Sequence, residues 1–443
     1  MLTILRRTVS LWWQTWPWLV AIYLIGWFLR YWAIHLAIQI AFSHGDFWGS
    51  LVLPLAPLVR LLMYLAMFLV IRSAAPGLQG VETDGEQAKG VFDVVMTAIL
   101  PFLVIYTAWK LLVEDYYVYV TSVTHALLND WKTAAAHEIY GSAIGPKLWL
   151  AILIAFVLRQ LMTRFRERLP RWTMIVAAYL EVVWLYFALK ASAVLLFGSP
   201  QWIRERRIVV WLGTVRDAAL AHVAWLAHIW NTAGTVLGAM ISVVALALAW
   251  LAIGAAIYGT PFRPTWASAR RVLLGERAAT VVSSAIERGR HAAQPRWQRV
   301  PAEIRRRAGE FARSQLGRFG PIADAWRLIL HGGALPIAFF VLAYTALVLL
   351  APNGAYWDAK VTDGYLWRGV ALLIGPHDWP WWQTYDQLIR ALIGAVVDPL
   401  RISLVAATYW FCVDRVRVEA TREEAAGDHT PDDELSSVET DHE

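Results

Sequence analysis

The sequence predicts an all-α fold, a polytopic transmembrane helix bundle of about eight spans of ~20 residues each. Three observations predict it. The chain is 58% hydrophobic and 17% charged, with a mean hydropathy of +0.46; soluble domains carry about 25% charged residues. Its apolar runs recur at span length. Its 26 Trp gather at the ends of those runs, where an amphipathic ring sits at headgroup depth. Trp12, Trp13, Trp16 and Trp18 open the first run, and Trp379, Trp381 and Trp382 precede the last.

The runs predict helices at 11–33, 51–71, 93–113, 148–162, 173–197, 234–258, 333–351 and 391–413. Arg6 and Arg7 before a short apolar stretch would read as a secretory signal. Here the stretch runs from Leu11 to Phe42 with no small-residue cleavage site, so it reads as an uncleaved anchor.

Orientation follows the rule that Lys and Arg stay on the cytoplasmic side. The connections read as inner carry Arg72 and Lys89, then Arg164, Arg166, Arg168 and Arg171, then a large Arg cluster, then Arg415 and Arg417. The first outer turn, 43–46, has neither Lys nor Arg. Residues 199–233 disagree, with Arg204, Arg206, Arg207 and Arg216. Making 209–231 a further span would export residues 260–327, which hold 14 Arg against five acids, a far worse breach. So 209–231 reads as an outer amphipathic helix, with Trp211, Val215, Ala218, His222, Trp225 and Ile229 on one stripe. Both termini fall in the cytoplasm, and the membrane is the cytoplasmic (inner) one.

This divides the chain into a six-span region at 1–258, an Arg-rich cytoplasmic loop at 259–332, a two-span region at 333–413 and an acidic tail at 414–443. After Pro301, Ile304, Ala308, Phe311, Ala312, Leu316 and Phe319 line one face, flanked by Arg306, Arg307, Arg313 and Arg318. A basic amphipathic helix so tethered should lie on anionic lipid. Nucleic acid is not an expected partner, since no base-reading module accompanies the charge. The tail holds nine acids and no Lys or Arg after Arg422, a composition that reads as disordered.

A loose repeat of four helical hairpins is visible. Pro17 to Tyr23 resembles Pro101 to Tyr106, and Tyr106-Thr-Ala-Trp-Lys110 resembles Tyr186-Phe-Ala-Leu-Lys190. Apolar sequence also produces such matches by chance, so a bundle without repeats stands beside this reading.

Ionisable residues inside spans cost about 2.5–3.5 kcal/mol each to insert, and they mark ligand paths or buried pairs. Arg30, Arg60, Lys110, Lys190 and Arg401 are the candidate substrate-binding residues, lining an outward-opening cavity suited to a phosphate-bearing amphiphile. The alternative for Arg30, Lys110 and Lys190 is snorkelling to the outer interface. For Arg401 it is a local pair with Asp398, three residues earlier. Arg60 and Glu181 both count to mid-depth and are expected to pair, joining the second and fifth spans.

Other chemistry is not signalled. There is no GxxxxGK[ST], GxSxG or CxxC motif, and the single Cys412 excludes an intramolecular disulfide. The outer His and acid residues, such as His44 with Asp46 and His377 with Asp378, lack metal-ligand spacing and read as interface or core residues. No catalytic residue, metal or cofactor is therefore expected. The leading expectation is a non-enzymatic protein binding or translocating an anionic lipid-like amphiphile in the bilayer. A scaffold or accessory subunit with membrane-protein partners is the second. A membrane enzyme acting at the outer face on a lipid-linked substrate, through Asp46 or Asp130, is the third.

The orientation makes a direct prediction. A reporter cysteine at Ser43 or Gly354 should be labelled by an impermeant reagent in intact cells, and one at Ser314 should not. Labelling of Ser314 from outside contradicts the topology.

Overall fold

A computed structural model describes residues 1–79, 146–165, 173–197, 247–255, 327–352 and 364–427, together with positions 99, 102, 103, 106, 111, 115, 116, 118–123, 170, 211, 244, 257 and 258. Every regular element among the described residues is helical. In chain order they are α1 (Leu2–His44), α2 (Asp46–Val52), α3 (Leu55–Ala74), α4 (Pro76–Gln79), α5 (Pro146–Arg164), α6 (Thr173–Phe197), α7 (Ala334–Leu350), α8 (Tyr365–Ile374) and α9 (Trp379–Gly427). Residues 247–255 and 327–331 are also helical.

Local chemistry sets several boundaries. Gly45 ends α1 at φ 100° and Gly375 ends α8 at φ 87°, a backbone region that a Cβ disfavours. Pro76 and Pro146 open their helices, where the missing N–H has no intrahelical partner to lose. The helix α6 coincides with the run expected at 173–197, and α7 falls within 333–351.

The terminal helices run further than the spans expected of them. The first span was expected at 11–33, and α1 has 43 residues. The last was expected at 391–413, and α9 has 49. Neither Gly nor Pro interrupts residues 2–10, 34–44 or 414–426, and Leu, Arg, Glu, Gln and Ala there favour helix. Hydropathy marks where a helix is apolar, not where it ends. Consequently α9 passes the expected start of the acidic tail and continues to Gly427; residues 428–443 lie outside the described residues. So do the amphipathic helix expected after Pro301, most of 259–332, and all of 209–231 except Trp211.

Among the described residues, two helical stretches are long and apolar enough to cross a membrane, Leu2–His44 and Asp46–Ala74. Shorter apolar helices occur at Trp149–Met162, Ile175–Ala188, Ala334–Leu350 and Tyr365–Ile374.

The core lies where α1, α3 and α9 pack on one another. Leu19, Leu61, Met67, Phe68, Tyr258 and Tyr409 are fully buried there. Tyr258 stacks on Tyr409 at 5.5 Å and its hydroxyl donates to the Phe68 carbonyl at 3.2 Å. A Cβ at Gly394 would collide with the Tyr23 hydroxyl, so glycine sets how closely α9 approaches α1. The α5–α6 pair packs beside this core, and the Tyr179 hydroxyl donates to the Leu51 carbonyl at 2.5 Å.

Polar groups on the long helices are satisfied locally. The hydroxyls of Thr8, Thr15, Ser403 and Thr408 each donate to the carbonyl four residues back, at 2.7–2.8 Å. That pattern hides a hydroxyl in apolar surroundings. The outward faces, by contrast, are apolar. Exposed residues include Trp13, Trp18, Ile25, Phe28 and Trp32 of α1, and Leu150, Leu153, Ile154, Val157 and Leu161 of α5.

Candidate functional site

Charged side chains lie inside this apolar assembly, and their arrangement defines the candidate site. Arg30 comes from α1, Arg60 and Tyr64 from α3, and Asp398 and Arg401 from α9. Tyr106 and Asp115 join them from the segment between α4 and α5.

Asp115 is 0% exposed. It accepts a hydrogen bond from Arg30 Nε at 2.8 Å, forms an ion pair with the same guanidinium, and accepts the Tyr106 hydroxyl. Arg60 donates to that hydroxyl at 3.1 Å, with its guanidinium 5.6 Å from the ring centre. The order Arg30, Asp115, Tyr106, Arg60 is thus a continuous hydrogen-bonded chain across α1 and α3. Such alternation is how charge is accommodated away from water, because an unpaired charge keeps its full desolvation penalty.

A second chain starts on α9. Arg401 pairs with Asp398 at 2.5 Å and donates to the carbonyls of Leu347 and Ala351 at the end of α7. The Leu347 carbonyl also accepts the Ala351 N–H at 3.1 Å, and a cation at this end of α7 meets the negative end of the helix dipole. The Tyr64 hydroxyl reaches Asp398 at 3.5 Å. Arg60 and Tyr64 lie one turn apart on α3, which sets the two chains side by side. Three of the five predicted basic residues are therefore brought together. Lys110 and the side chain of Lys190 lie outside the described residues.

Glu181 and Arg60 take other described partners than each other. Glu181 pairs with Arg159 of α5 at 2.5 Å and accepts from Trp184 Nε1 at 3.0 Å. The helices α3 and α6 do touch, but Arg60 faces Tyr106. Counting depth along a span gives height in the bilayer and leaves rotation about the helix axis open. Arg159 was hidden by its place near the inner end of 148–162, where Arg is expected on other grounds. Asp115 was hidden as an outer-loop acid. The available signal was position: Arg30 and Asp115 both stand near the ends of their apolar runs that the sequence reads as outer.

At the turn between α1 and α2, the Tyr119 hydroxyl donates to Asp46 at 2.8 Å. Burial, and then the Asp46 carboxylate, push that hydroxyl above its ordinary range. At the opposite end, Arg7 pairs with Asp414 at 2.6 Å and lies over Trp410 at 4.3 Å, joining the two longest described helices. The histidines make ring contacts, His35 with Tyr31 and His377 with Trp381. Among the described residues no group of three His, Cys, Asp or Glu stands together as a metal site.

The α5–α6 pair gives a quantitative expectation. Both partners are buried, so Arg159→Ala or Glu181→Ala alone should cost about 3–5 kcal/mol by leaving the other charge unpaired. The double variant should lose less than the sum, whereas Arg60→Ala with Glu181→Ala should be additive within about 0.5 kcal/mol. Unfolding in detergent checks both cycles.

No family model matches the chain, and neither does a curated protein or a solved structure.

Proposed function

We propose that the chain is a multi-pass protein of the cytoplasmic (inner) membrane, a bundle of about eight spans with both termini in the cytoplasm. Its function in this reading is to bind or translocate an anionic, lipid-like amphiphile. The observation that carries the reading is the pair of hydrogen-bonded chains inside an apolar assembly, Arg30–Asp115–Tyr106–Arg60 and Arg401–Asp398–Tyr64. Guanidinium groups in such a place are costly, and they recur where a phosphate or carboxylate must be held by paired hydrogen bonds. Arg30 keeps 13% of its side chain exposed, which leaves an approach from the outer end of α1.

The membrane part is supported by the two span-length stretches, the outward apolar faces of α1 and α5, and the local satisfaction of Ser and Thr hydroxyls. The length of α1, about 65 Å at ~1.5 Å per residue, exceeds the ~30 Å hydrocarbon thickness. Its Trp-rich flank therefore favours a second reading, in which the chain is an accessory subunit and that flank receives another membrane protein.

Purified full-length protein separates the two. Phosphatidylglycerol should raise its melting temperature in detergent more than phosphatidylcholine does. Arg30→Lys keeps the charge beside Asp115 and removes the planar fork, so it should weaken the phosphatidylglycerol response about tenfold, the equivalent of one charge-assisted hydrogen bond of about 1.5 kcal/mol. Equal responses to both lipids contradict ligand binding; a stoichiometric co-purifying membrane protein would then favour the accessory role.

A further inference from the structure

The short helix α8 and the start of α9 form a hairpin whose polarity is reversed relative to a water-facing amphipathic helix. The face of α8 turned toward α9 carries the polar contacts. Trp367 Nε1 donates to Asp386 at 3.0 Å, Arg390 holds both oxygens of the same carboxylate at 2.8–2.9 Å, and the Arg390 guanidinium lies 5.7 Å from the Trp367 ring centre. Trp367 also packs against Trp382 at 5.4 Å. This clamp fixes the rotation of α8. At 100° per residue, Tyr365, Leu366, Gly369, Leu372 and Leu373 then fall on the opposite arc. Leu372 is 84% exposed and Leu373 is 89% exposed, and a Cβ added at Gly369 would meet nothing within 4 Å.

We propose that this outward face of α8 is a membrane anchor lying shallowly in the outer leaflet. The occupant is the bilayer, for three reasons. First, the rim has interfacial composition: Tyr365 and the 76%-exposed Trp379 are amphipathic aromatics, and Arg368 stands at the edge of the apolar arc. Second, α8 has 10 residues, about 15 Å at ~1.5 Å per residue, half the ~30 Å of hydrocarbon; it fits the interface and cannot span. Third, the apolar surface continues down α9 through Tyr385, Leu388, Leu392 and Val396, all exposed at helical spacing. The turn at Gly375 keeps the polar His377 and Asp378 exposed at the hairpin tip, at headgroup level. The root is fixed too, since a Cβ at Gly364 would collide with the Leu350 carbonyl and Pro352 at the end of α7. Arg401 caps that same end through Ala351, so the anchor is tied directly to the buried charge network.

The inference rests on the membrane part of the proposed function and not on its ligand. It is tested on the full chain in nanodiscs of phosphatidylcholine and phosphatidylglycerol, in a Cys412→Ser background. An environment-sensitive fluorophore is placed at Leu373→Cys, and at Leu392→Cys as a reference on α9. Nitroxide-labelled lipid should quench both sites, with acyl carbon 5 favouring Leu373 and deeper labels favouring Leu392, and aqueous iodide should quench neither. Quenching at Leu392 without quenching at Leu373 overturns the anchor while leaving the membrane reading intact. Iodide then reports a water-facing helix, and a disulfide dimer through Leu373→Cys reports a second copy on this face. Loss of lipid quenching at both sites overturns the membrane reading itself.

Discussion

The requirement that charge be neutralised inside an apolar interior organises the rest of the structure. Arg30 meets Asp115, Arg401 meets Asp398, and Arg159 meets Glu181, each pair largely withdrawn from solvent. None of these groups can leave its partner cheaply, because the abandoned charge would remain buried. The pairs consequently act as registers. Arg30 with Asp115 fixes the segment after α4 against α1. Arg159 with Glu181 fixes α5 against α6. Asp398 and Arg401 fix α9 at once against Tyr64 of α3 and the carbonyl end of α7. The Arg7–Asp414 pair at the other end is part-exposed, and pairs of that kind contribute only about 0–1 kcal/mol. It marks where α1 and α9 meet and does little to hold them there.

Apolar packing supplies the area and the charge network supplies the specificity. The contact of α1, α3 and α9 is built from aliphatic and aromatic side chains that would tolerate sliding. Slippage is opposed where glycine meets a large ring: Gly394 beneath the Tyr23 hydroxyl and Gly77 against Trp410 leave no room for a Cβ. Among the described residues, Asp115, Arg159, Glu181, Asp398 and Arg401 are buried while Trp and Leu side chains of α1, α5, α8 and α9 are exposed. In water such a surface would be an aggregation hazard; against acyl chains it is the ordinary solution.

Much of this was legible in the sequence, for identifiable reasons. The all-helical class followed from run length and composition. The bounds of α6 and α7 followed because their apolar runs end where the helices end. Arg30, Arg60 and Arg401 stood out because a charge within a long apolar run is rare. Three things were not legible. The C-terminal end of α9 lies in charged sequence that favours helix without any hydropathy signal, and α1 follows its apolar stretch to Phe42 and beyond instead of stopping at one span length. The partners of Arg60 and Glu181 depend on rotation about helix axes, which depth along a span does not encode. And α8, whose 10 residues are too few for a span, carries no span-length signal, although Leu372-Leu373-Ile374 beside Gly375 is a visible cue.

The Arg30–Asp115 pair is the most direct test of buried pairing, and exchanging its charges probes it. Arg30→Asp and Asp115→Arg alone should each abolish recovery of folded, monodisperse protein from membranes, since each places two like charges together in a buried site. The combined exchange restores opposite charges at the same place and should recover a substantial share of the wild-type yield. Single variants that fold as well as the wild type, or an exchange that rescues nothing while both singles remain folded, would contradict the claim that buried pairing sets the register of this bundle.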